Sequence, residues 1–216
     1  MEKLSVSECI RFGWATFKKN PWLFVGALAI LFAISSVSSL ISGAVSASKH
    51  ELAIIVMFIA SITLGTYVEM AMTSFLLKAH ESTEGITFQS VISSLPFWKY
   101  LGAKILVGVV VAIGFVLLIV PGVILMLMFL MTQYLVIDRS LGPIEALKES
   151  NRITKGHKFQ LLLLVLAVAG LNILGALALL VGLLVSIPVS MLAVVHAYRV
   201  LEHKANEVVP AATPAA

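Results

Sequence analysis

The chain has 216 residues, of which 60% are hydrophobic and only 12% are charged, and its formal net charge is +4. Soluble domains carry about 25% charged residues and disordered chains are poor in apolar ones, so this composition excludes both classes. A single cysteine, Cys9, excludes a disulfide framework. A helical protein that crosses a membrane several times remains.

The first residues predict a short amphipathic helix ahead of the membrane domain. Ser5 to Glu8 has the Ser-x-x-Glu form of a capping box, which opens a helix. Ile10, Trp14 and Phe17 then fall on one helical face. We assign three regions: residues 1–20 to the amphipathic segment, 21–204 to the membrane domain and 205–216 to a disordered tail.

Four apolar stretches follow, and a helix needs about 20 apolar residues to cross the hydrocarbon core. The stretches 22–45 and 52–77 each suit one crossing, whereas 100–137 and 159–201 are long enough for two each. Pro121-Gly122 in the third stretch, and Gly182 with Pro188 in the fourth, suggest points of reversal. We therefore predict an all-α membrane protein with six transmembrane helices in three hairpins: 22–45, 52–77, 100–119, 121–137, 159–181 and 185–202.

Two further amphipathic segments precede the later hairpins. Phe88, Val91, Ile92 and Leu95 form an apolar stripe at helical spacing. A third helix is predicted between Pro143 at its first turn and Gly156 at its C-terminal cap. The first and third segments align without gaps from Glu8 and Glu145, which indicates a threefold internal repeat. The alternative is that any interfacial helix before a crossing has this pattern.

The basic residues predict the orientation. With six crossings and a cytoplasmic N-terminus, all but one of the 15 basic residues fall on the cytoplasmic side, and only Lys49 lies in an outer loop. This bias is typical of cytoplasmic loops, so we expect a bacterial inner-membrane protein with both termini in the cytoplasm. An odd number of crossings is the main alternative.

The tryptophans share that side and, with nearby cations, predict contacts with lipid headgroups. Indole rings favour the headgroup layer, and anionic lipids attract Lys and Arg. Membrane lipids, in particular anionic phospholipids, are therefore the expected partners, although ordinary topology-setting charge explains the same pattern. The predicted headgroup contacts are Arg11, Trp14, Lys18, Lys19, Trp22, Trp98, Lys99, Lys155 and Lys158.

Glu69 is the acidic residue placed deepest in a predicted crossing, with Lys104 as its expected partner. A carboxylate in hydrocarbon is costly, so it usually faces a partner or a wet cavity. The pair is either a proton or cation site or a structural ion pair. The small polar residues on the same two predicted crossings have two interpretations: they line a path across the membrane, or they allow close packing of the helices. They are Thr66 and Thr73 beside Glu69, and Ser35, Ser39 and Ser42 on the first crossing.

Other polar residues have simpler interpretations. Gln133, Asn172 and His196 are expected to bind neighbouring helices, and Asp138 is expected to pair with Arg139 beside it. The sequence contains no zinc-ligand spacing, no phosphate-binding loop and no metalloprotease motif. We therefore expect a protein without catalytic activity, cofactor, metal or nucleic-acid partner.

Five motifs of the chain are Phe12-Gly13-Trp14 to Trp22, Ile119 to Leu125, Tyr134 to Asp138, Gly142 to Ser150 and Ile187-Pro188 to Arg199. They resemble motifs of a widespread group of bacterial multi-pass membrane proteins of unknown function. The chain is similar as well to the membrane domain that is fused to some glycerophosphoryl diester phosphodiesterases. The resemblance implies six membrane helices and a lipid-related role, but no catalytic residue, because this chain has no counterpart of the phosphodiesterase catalytic domain.

Two functions remain open on the sequence. The first is a lipid-associated scaffold or a partner subunit of another membrane protein. The second is a small transporter or channel that uses Glu69 and the Ser/Thr stripes. A water-filled cavity that reaches Glu69 would favour the second.

Overall fold

The computed structural model describes residues 4–46, 51–81, 91, 95–178 and 182–208. Within these ranges the regular structure is helical and no strand occurs. The helices are α1 (Val6–Lys19), α2 (Pro21–Ser46), α3 (Glu51–Glu81), α4 (Phe97–Leu117), α5 (Ile119–Phe129), α6 (Thr132–Arg139), α7 (Pro143–Thr154), α8 (Lys158–Leu177) and α9 (Leu183–Val208).

Five helical segments in the described ranges are long and apolar enough to cross a membrane. A sixth candidate joins α1 to residues 21–34 of α2, although the two parts are bent by 94°. The chain is therefore a multi-pass helical membrane protein with five or six membrane-spanning helices. The five segments are Ile54–Glu81, Phe97–Leu117, Ile119–Arg139, Lys158–Leu177 and Leu183–Glu207.

Helix α9 lies at the centre of the bundle. It contacts α1, α2, α3, α7 and α8, and Leu192, Val195 and Tyr198 on it are fully buried. Apolar side chains at the ends of other helices remain exposed, such as Val116 at 87% and Leu177 at 76%. A large exposed apolar surface is what contact with lipid requires.

The reversal between α4 and α5 occurs at Leu118, a few residues before the predicted Pro121-Gly122. Leu118 is extended and separates the two helices. Pro121 instead lies in the first turn of α5, where the N–H groups have no partner within the helix. Gly122 allows the two helices to pack closely and does not form the turn. A Cβ atom on Gly114 would lie only 3.0 Å from the Cα atom of Gly122.

The next reversal agrees with only one of the two residues that predicted it. Helix α8 ends at Leu177 and α9 begins at Leu183, so Gly182 lies at the reversal while Pro188 lies inside α9. Gly175 and Gly182 approach closely: a Cβ on Gly175 would lie 3.1 Å from the carbonyl carbon of Gly182. Both described reversals thus bring two glycines together, which lets the backbones approach.

The predicted crossing 121–137 lies within the apolar segment Ile119–Arg139, which a turn at Leu130 and Met131 divides into α5 and α6. The sequence did not predict this turn. The break at Leu130 and Met131 frees carbonyl groups of the preceding turn. The Met128 carbonyl oxygen accepts hydrogen bonds from the hydroxyl groups of Ser150 at 2.8 Å and Thr154 at 3.3 Å, both on α7. Hydropathy does not reveal such a break, because the residues around it remain apolar.

The amphipathic helices α1 and α7 are packed into the bundle. Helix α1 begins after Ser5, whose hydroxyl accepts the N–H of Glu8, and it packs mainly against α9. Helix α7 starts at Pro143 and contacts α4, α5, α6 and α9. Gly156 follows it with a positive φ of 84°, as a C-terminal cap requires.

The two helices bury residues at the same helical spacing. The buried positions follow i, i+4, i+7 and i+8 in both helices, which is the spacing of one face of an amphipathic helix. In α1 they are Cys9, Gly13, Thr16 and Phe17, and in α7 they are Ala146, Ser150, Ile153 and Thr154. The internal repeat stays a prediction.

Two other predicted regions are described only in part. Of the second amphipathic segment, the stripe residues Phe88 and Ile92 lie outside the described residues, and Val91 is helical and buried. Helix α9 continues to Val208, within the segment assigned to the tail, and residues 209–216 lie outside the description.

Gly13 provides a test of the contact between α1 and α9. A Cβ atom there would collide with the carbonyl oxygen of Val189, so we expect Gly13→Ala to destabilise the docked helix by about 1–3 kcal/mol. Cys9, the single cysteine of the chain, is buried in this contact and reports on it. Alkylation of Cys9 by a maleimide in detergent should be at least about fivefold faster in Gly13→Ala.

Gly170→Ala is the matched control, since a Cβ atom there meets nothing within 4 Å. Its alkylation rate should equal that of the unmodified chain. Equal rates in Gly13→Ala and Gly170→Ala would show that α1 is not held against α9 in this register.

Candidate functional site

Glu69 on α3 and Lys104 on α4 form an ion pair, so the structure brings together the two residues that the sequence paired. The Lys104 Nζ atom lies 2.6 Å from the Glu69 Oε2 atom. The Glu69 side chain is 50% exposed and that of Lys104 is 40% exposed in the isolated chain. The pair therefore lies on the outside of the bundle, where lipid or a partner would cover it.

A cavity of about 360 Å³ adjoins this pair and is lined by α2, α3, α4, α6 and α9 together with Leu130. Its polar lining includes Glu69 and Thr73, whose hydroxyl donates to the Glu69 carbonyl oxygen at 2.9 Å. Gln133 and two tyrosines, Tyr100 and Tyr134, add further polar groups. The rest of the wall is apolar: Leu31, Val68, Met72, Leu76, Leu130 and Met191.

The other predicted members of this site lie elsewhere or outside the description. Thr66 is 1% exposed, donates to the Ile62 carbonyl oxygen at 2.8 Å and does not line the cavity. Ser39 is exposed, and the side chains of Ser35 and Ser42 lie outside the described residues. Among the small polar residues whose side chains the structure describes, only Thr73 joins Glu69 at the cavity.

Asp138 pairs with Arg199 rather than with Arg139, so that prediction was wrong. The Arg199 guanidinium donates to both oxygens of the Asp138 carboxylate, at 2.8 and 2.9 Å. The hydroxyl of Tyr198 donates to the same carboxylate at 2.8 Å. Neighbouring residues on a helix point in different directions, so Arg139 cannot face Asp138 and instead binds acidic residues of other helices.

These residues belong to an ion-pair network that joins the ends of α3, α6, α7 and α9. Its interhelical members are far apart in sequence, so local spacing did not reveal them. Only the pairs at i, i+3, Glu149 with Arg152 and Arg199 with Glu202, have a spacing that sequence could suggest. The acidic members are Glu81, Asp138, Glu149 and Glu202, and the basic members are Arg139, Arg152 and Arg199.

A pair of histidines links α3 to α9 beside α1. The Nε2 atom of His80 lies 3.0 Å from the Nδ1 atom of His196, and the ring of Phe12 stacks on His196 at 4.3 Å between centroids. On the other side of α9, Ser190 donates to the Asn172 side-chain oxygen at 3.4 Å. His196 and Asn172 thus both bind neighbouring helices, as the sequence predicted.

The predicted headgroup contacts are mostly exposed. Trp22 is 86% exposed, Trp98 is 80% exposed, and the Lys18 ammonium group lies over the Trp14 ring. Arg11, Lys19 and Lys155 are also exposed.

Two of the predicted contacts bind within the chain instead. Lys99 donates to the Ser140 carbonyl oxygen at 2.8 Å. The Lys158 ammonium lies 3.6 Å from the sulfur of Met128.

Comparisons with known proteins give one partial match. Residues 109–205, from the middle of α4 into the last turns of α9, match the model of a family described as "Protein of unknown function (DUF975)". No curated protein and no solved structure matches the chain. The match is consistent with similarity to an uncharacterised family, and it contains no link to glycerophosphoryl diester phosphodiesterases. Within the described residues, no group of three or more His, Cys, Asp or Glu side chains is placed to hold a metal ion.

Glu149 provides a test of the network through its pKa. Hydrogen bonds from Arg152 lower the pKa of the Glu149 carboxyl below its ordinary value of about 4.3. Because the folded-state pKa is the lower one, the pair stabilises the protein at pH values above the unfolded pKa. That contribution is lost as the pH falls through the folded-state pKa.

We therefore expect Glu149→Gln to lower the free energy of unfolding by about 1 kcal/mol or less at pH 6, and by progressively less below about pH 4. Thermal unfolding in detergent between pH 3 and pH 7 measures the difference. Glu207→Gln, which removes a carboxylate from an exposed pair with His203, is the control and should have little effect. A Glu149→Gln difference that stays constant down to pH 3 would contradict this assignment.

Proposed function

We propose that this protein is a non-catalytic, lipid-associated scaffold or partner subunit of the bacterial inner membrane. The main observation in support is that polar groups at membrane depth and at the helix ends bind one another within the chain. Glu69 binds Lys104, Asp138 binds Arg199, and His80 binds His196. Groups committed to such pairs hold helices together, and they are less available to a substrate.

We propose six crossings in three hairpins, with amphipathic helices before each hairpin and both termini in the cytoplasm. The charged network supports one charged end of the bundle, since it joins the ends of α3, α6 and α9. The connections at Leu118 and at 178–182 contain no charged residue. A bundle with one highly charged end and few charges at the other fits an excess of cations on the cytoplasmic side.

The exposed tryptophans and cations support an association with lipid headgroups. Trp22 and Trp98 project from the starts of α2 and α4, where indole rings favour the membrane interface. Another membrane protein is the remaining expected partner.

Cysteine labelling tests the proposed topology. In a Cys9→Ser background, an impermeant maleimide should label Lys49→Cys in intact cells, because residue 49 lies in a proposed outer loop. Lys148→Cys, on the exposed side of α7, should react only after the cells are permeabilised. Labelling of Lys148→Cys from outside intact cells would overturn the orientation.

A transporter is the second candidate, and the cavity at Glu69 is the observation that favours it. The cavity of about 360 Å³ is bordered by a carboxylate, a threonine and two tyrosines at membrane depth. Ionisable residues beside such cavities mark ion and substrate pathways in membrane proteins. In this candidate, Glu69 would exchange a proton or a cation when its bond to Lys104 opens.

Proton flux into liposomes distinguishes the two functions. The scaffold predicts no flux above protein-free liposomes and a defined partner that remains bound to the native protein after purification. The transporter predicts flux that Glu69→Gln reduces by at least about tenfold, because a proton carrier is removed.

The double variant Glu69→Gln/Lys104→Met is the matched control, since it restores neutrality without restoring the carboxylate. Flux that stays lost in the double variant supports the transporter, whereas recovered flux assigns the pair a structural role. A lone monomer that conducts a solute would overturn the scaffold.

A further inference from the structure

Two imidazole rings meet where α1, α3 and α9 come together. The Nε2 atom of His80 on α3 lies 3.0 Å from the Nδ1 atom of His196 on α9, and both rings are half-buried. Phe12 of α1 packs on both rings, with its ring centroid 4.6 Å from that of His80 and 4.3 Å from that of His196. The histidine pair therefore joins three helices.

A hydrogen bond between two imidazole nitrogens constrains the protonation of the rings. One nitrogen must donate an N–H group, and the other must accept it with a lone pair. The bond survives one added proton, because a charged imidazole can donate to a neutral one. A second proton leaves an N–H group on both facing nitrogens, so that no acceptor remains and two positive charges face each other.

The charged groups around the pair offset one added proton better than two. Among the described residues, Glu8 of α1 and Arg199 of α9 act on the two rings electrostatically. On α3 the charged residues next in sequence are Lys78 and Glu81, and Glu81 is bound to Arg199. The Glu8 carboxylate offsets a first positive charge on the pair, whereas a second charge repels the first at hydrogen-bond distance.

The position of α1 depends on the geometry of the pair. Gly13, the residue after Phe12, lies so close to α9 that a Cβ atom on it would collide with the carbonyl oxygen of Val189. Repulsion between the rings moves the surface on which Phe12 stacks, and the tight contact at Gly13 leaves α1 little room to follow. Helix α1 then loses contacts with α3 and α9.

We propose that the His80–His196 pair is a pH-sensitive latch, which holds α1 in the bundle at neutral pH and loosens it when both rings are charged. Loosening exposes the buried face of α1, which includes Cys9 and Phe17. The inference depends on contacts within the chain, so it goes beyond the proposed function and does not require it.

Amide hydrogen exchange of the full chain in detergent, followed by mass spectrometry between about pH 7.5 and pH 4, tests the latch. Exchange rates are divided by the intrinsic rate at each pH, so that only changes in protection remain. The protection of α1 should fall by at least about tenfold over this range, because both rings can take up protons there. The protection of α7 should change by less than about twofold, since its hydroxyl bonds to Met128 involve no histidine.

The variant His80→Gln/His196→Asn separates the pair from other effects of acid. The two side-chain amides can hydrogen-bond to each other in place of the rings, but they take up no proton in this range. In this variant α1 should be protected at pH 7.5 and should stay protected at pH 4. His203→Gln is the matched control, because it removes an exposed histidine that pairs with Glu207, and it should keep the full fall.

An equal fall in His80→Gln/His196→Asn and in the unmodified chain would overturn the latch, as would no fall in the unmodified chain. A parallel loss of protection in α7 would show general unfolding by acid and would overturn it as well. If the double variant has already lost the protection of α1 at pH 7.5, His196→Asn alone takes its place. His80 can still donate to the Asn amide oxygen with its ring neutral or charged, so a fall in that variant would count against the latch and a constant protection would support it.

Discussion

The Met128 carbonyl oxygen lies where the helix of α5 and α6 is broken, and two hydroxyl groups of α7 bind it. In hydrocarbon no water is available to form a hydrogen bond with a freed backbone group. A broken helix is therefore stable there only where other protein groups form that hydrogen bond. Ser150 and Thr154 meet this requirement, and in doing so they hold α7 inside the bundle. The position of α7 then brings Glu149 and Arg152 to the network.

The same cost of unpaired polar groups explains where the charges lie. Arg199 binds Asp138, Glu202 and Glu81, and Arg139 continues the network to Glu149. Each charge in this network is partly removed from water, and each has an opposite charge within reach. A network of this kind fixes how the helix ends meet, because moving one helix would leave several charges unpaired.

Two cavities differ in the groups that border them. The cavity at Glu69 is mostly apolar and its one carboxylate is already bound by Lys104. The pocket lined by Lys155 and Lys204 has no acidic side chain in its lining and lies beside the start of α8. The cavity at Glu69 therefore suits a structural pair or a proton pathway.

Local pattern was enough to predict part of this arrangement. Hydropathy placed the apolar helices, since the thickness of the membrane sets their length. The capping residues Ser5 and Pro143 marked the starts of α1 and α7, because helix ends expose backbone groups that neighbouring side chains satisfy. Glu69 could be paired with Lys104 because a carboxylate at membrane depth demands a cation and few lie within reach.

Other features depended on contacts between distant residues. The break before α6 and the bond between Asp138 and Arg199 have no local signal, because the partner groups lie on other helices. The pocket lined by Lys155 and Lys204 likewise exists only because α7, its connection to α8 and the end of α9 meet. The amino-acid sequence by itself determined a multi-pass helical membrane protein, since membrane thickness and backbone hydrogen bonding act on each helix alone. Only the tertiary structure decided which polar groups meet, because that depends on how the helices pack against one another.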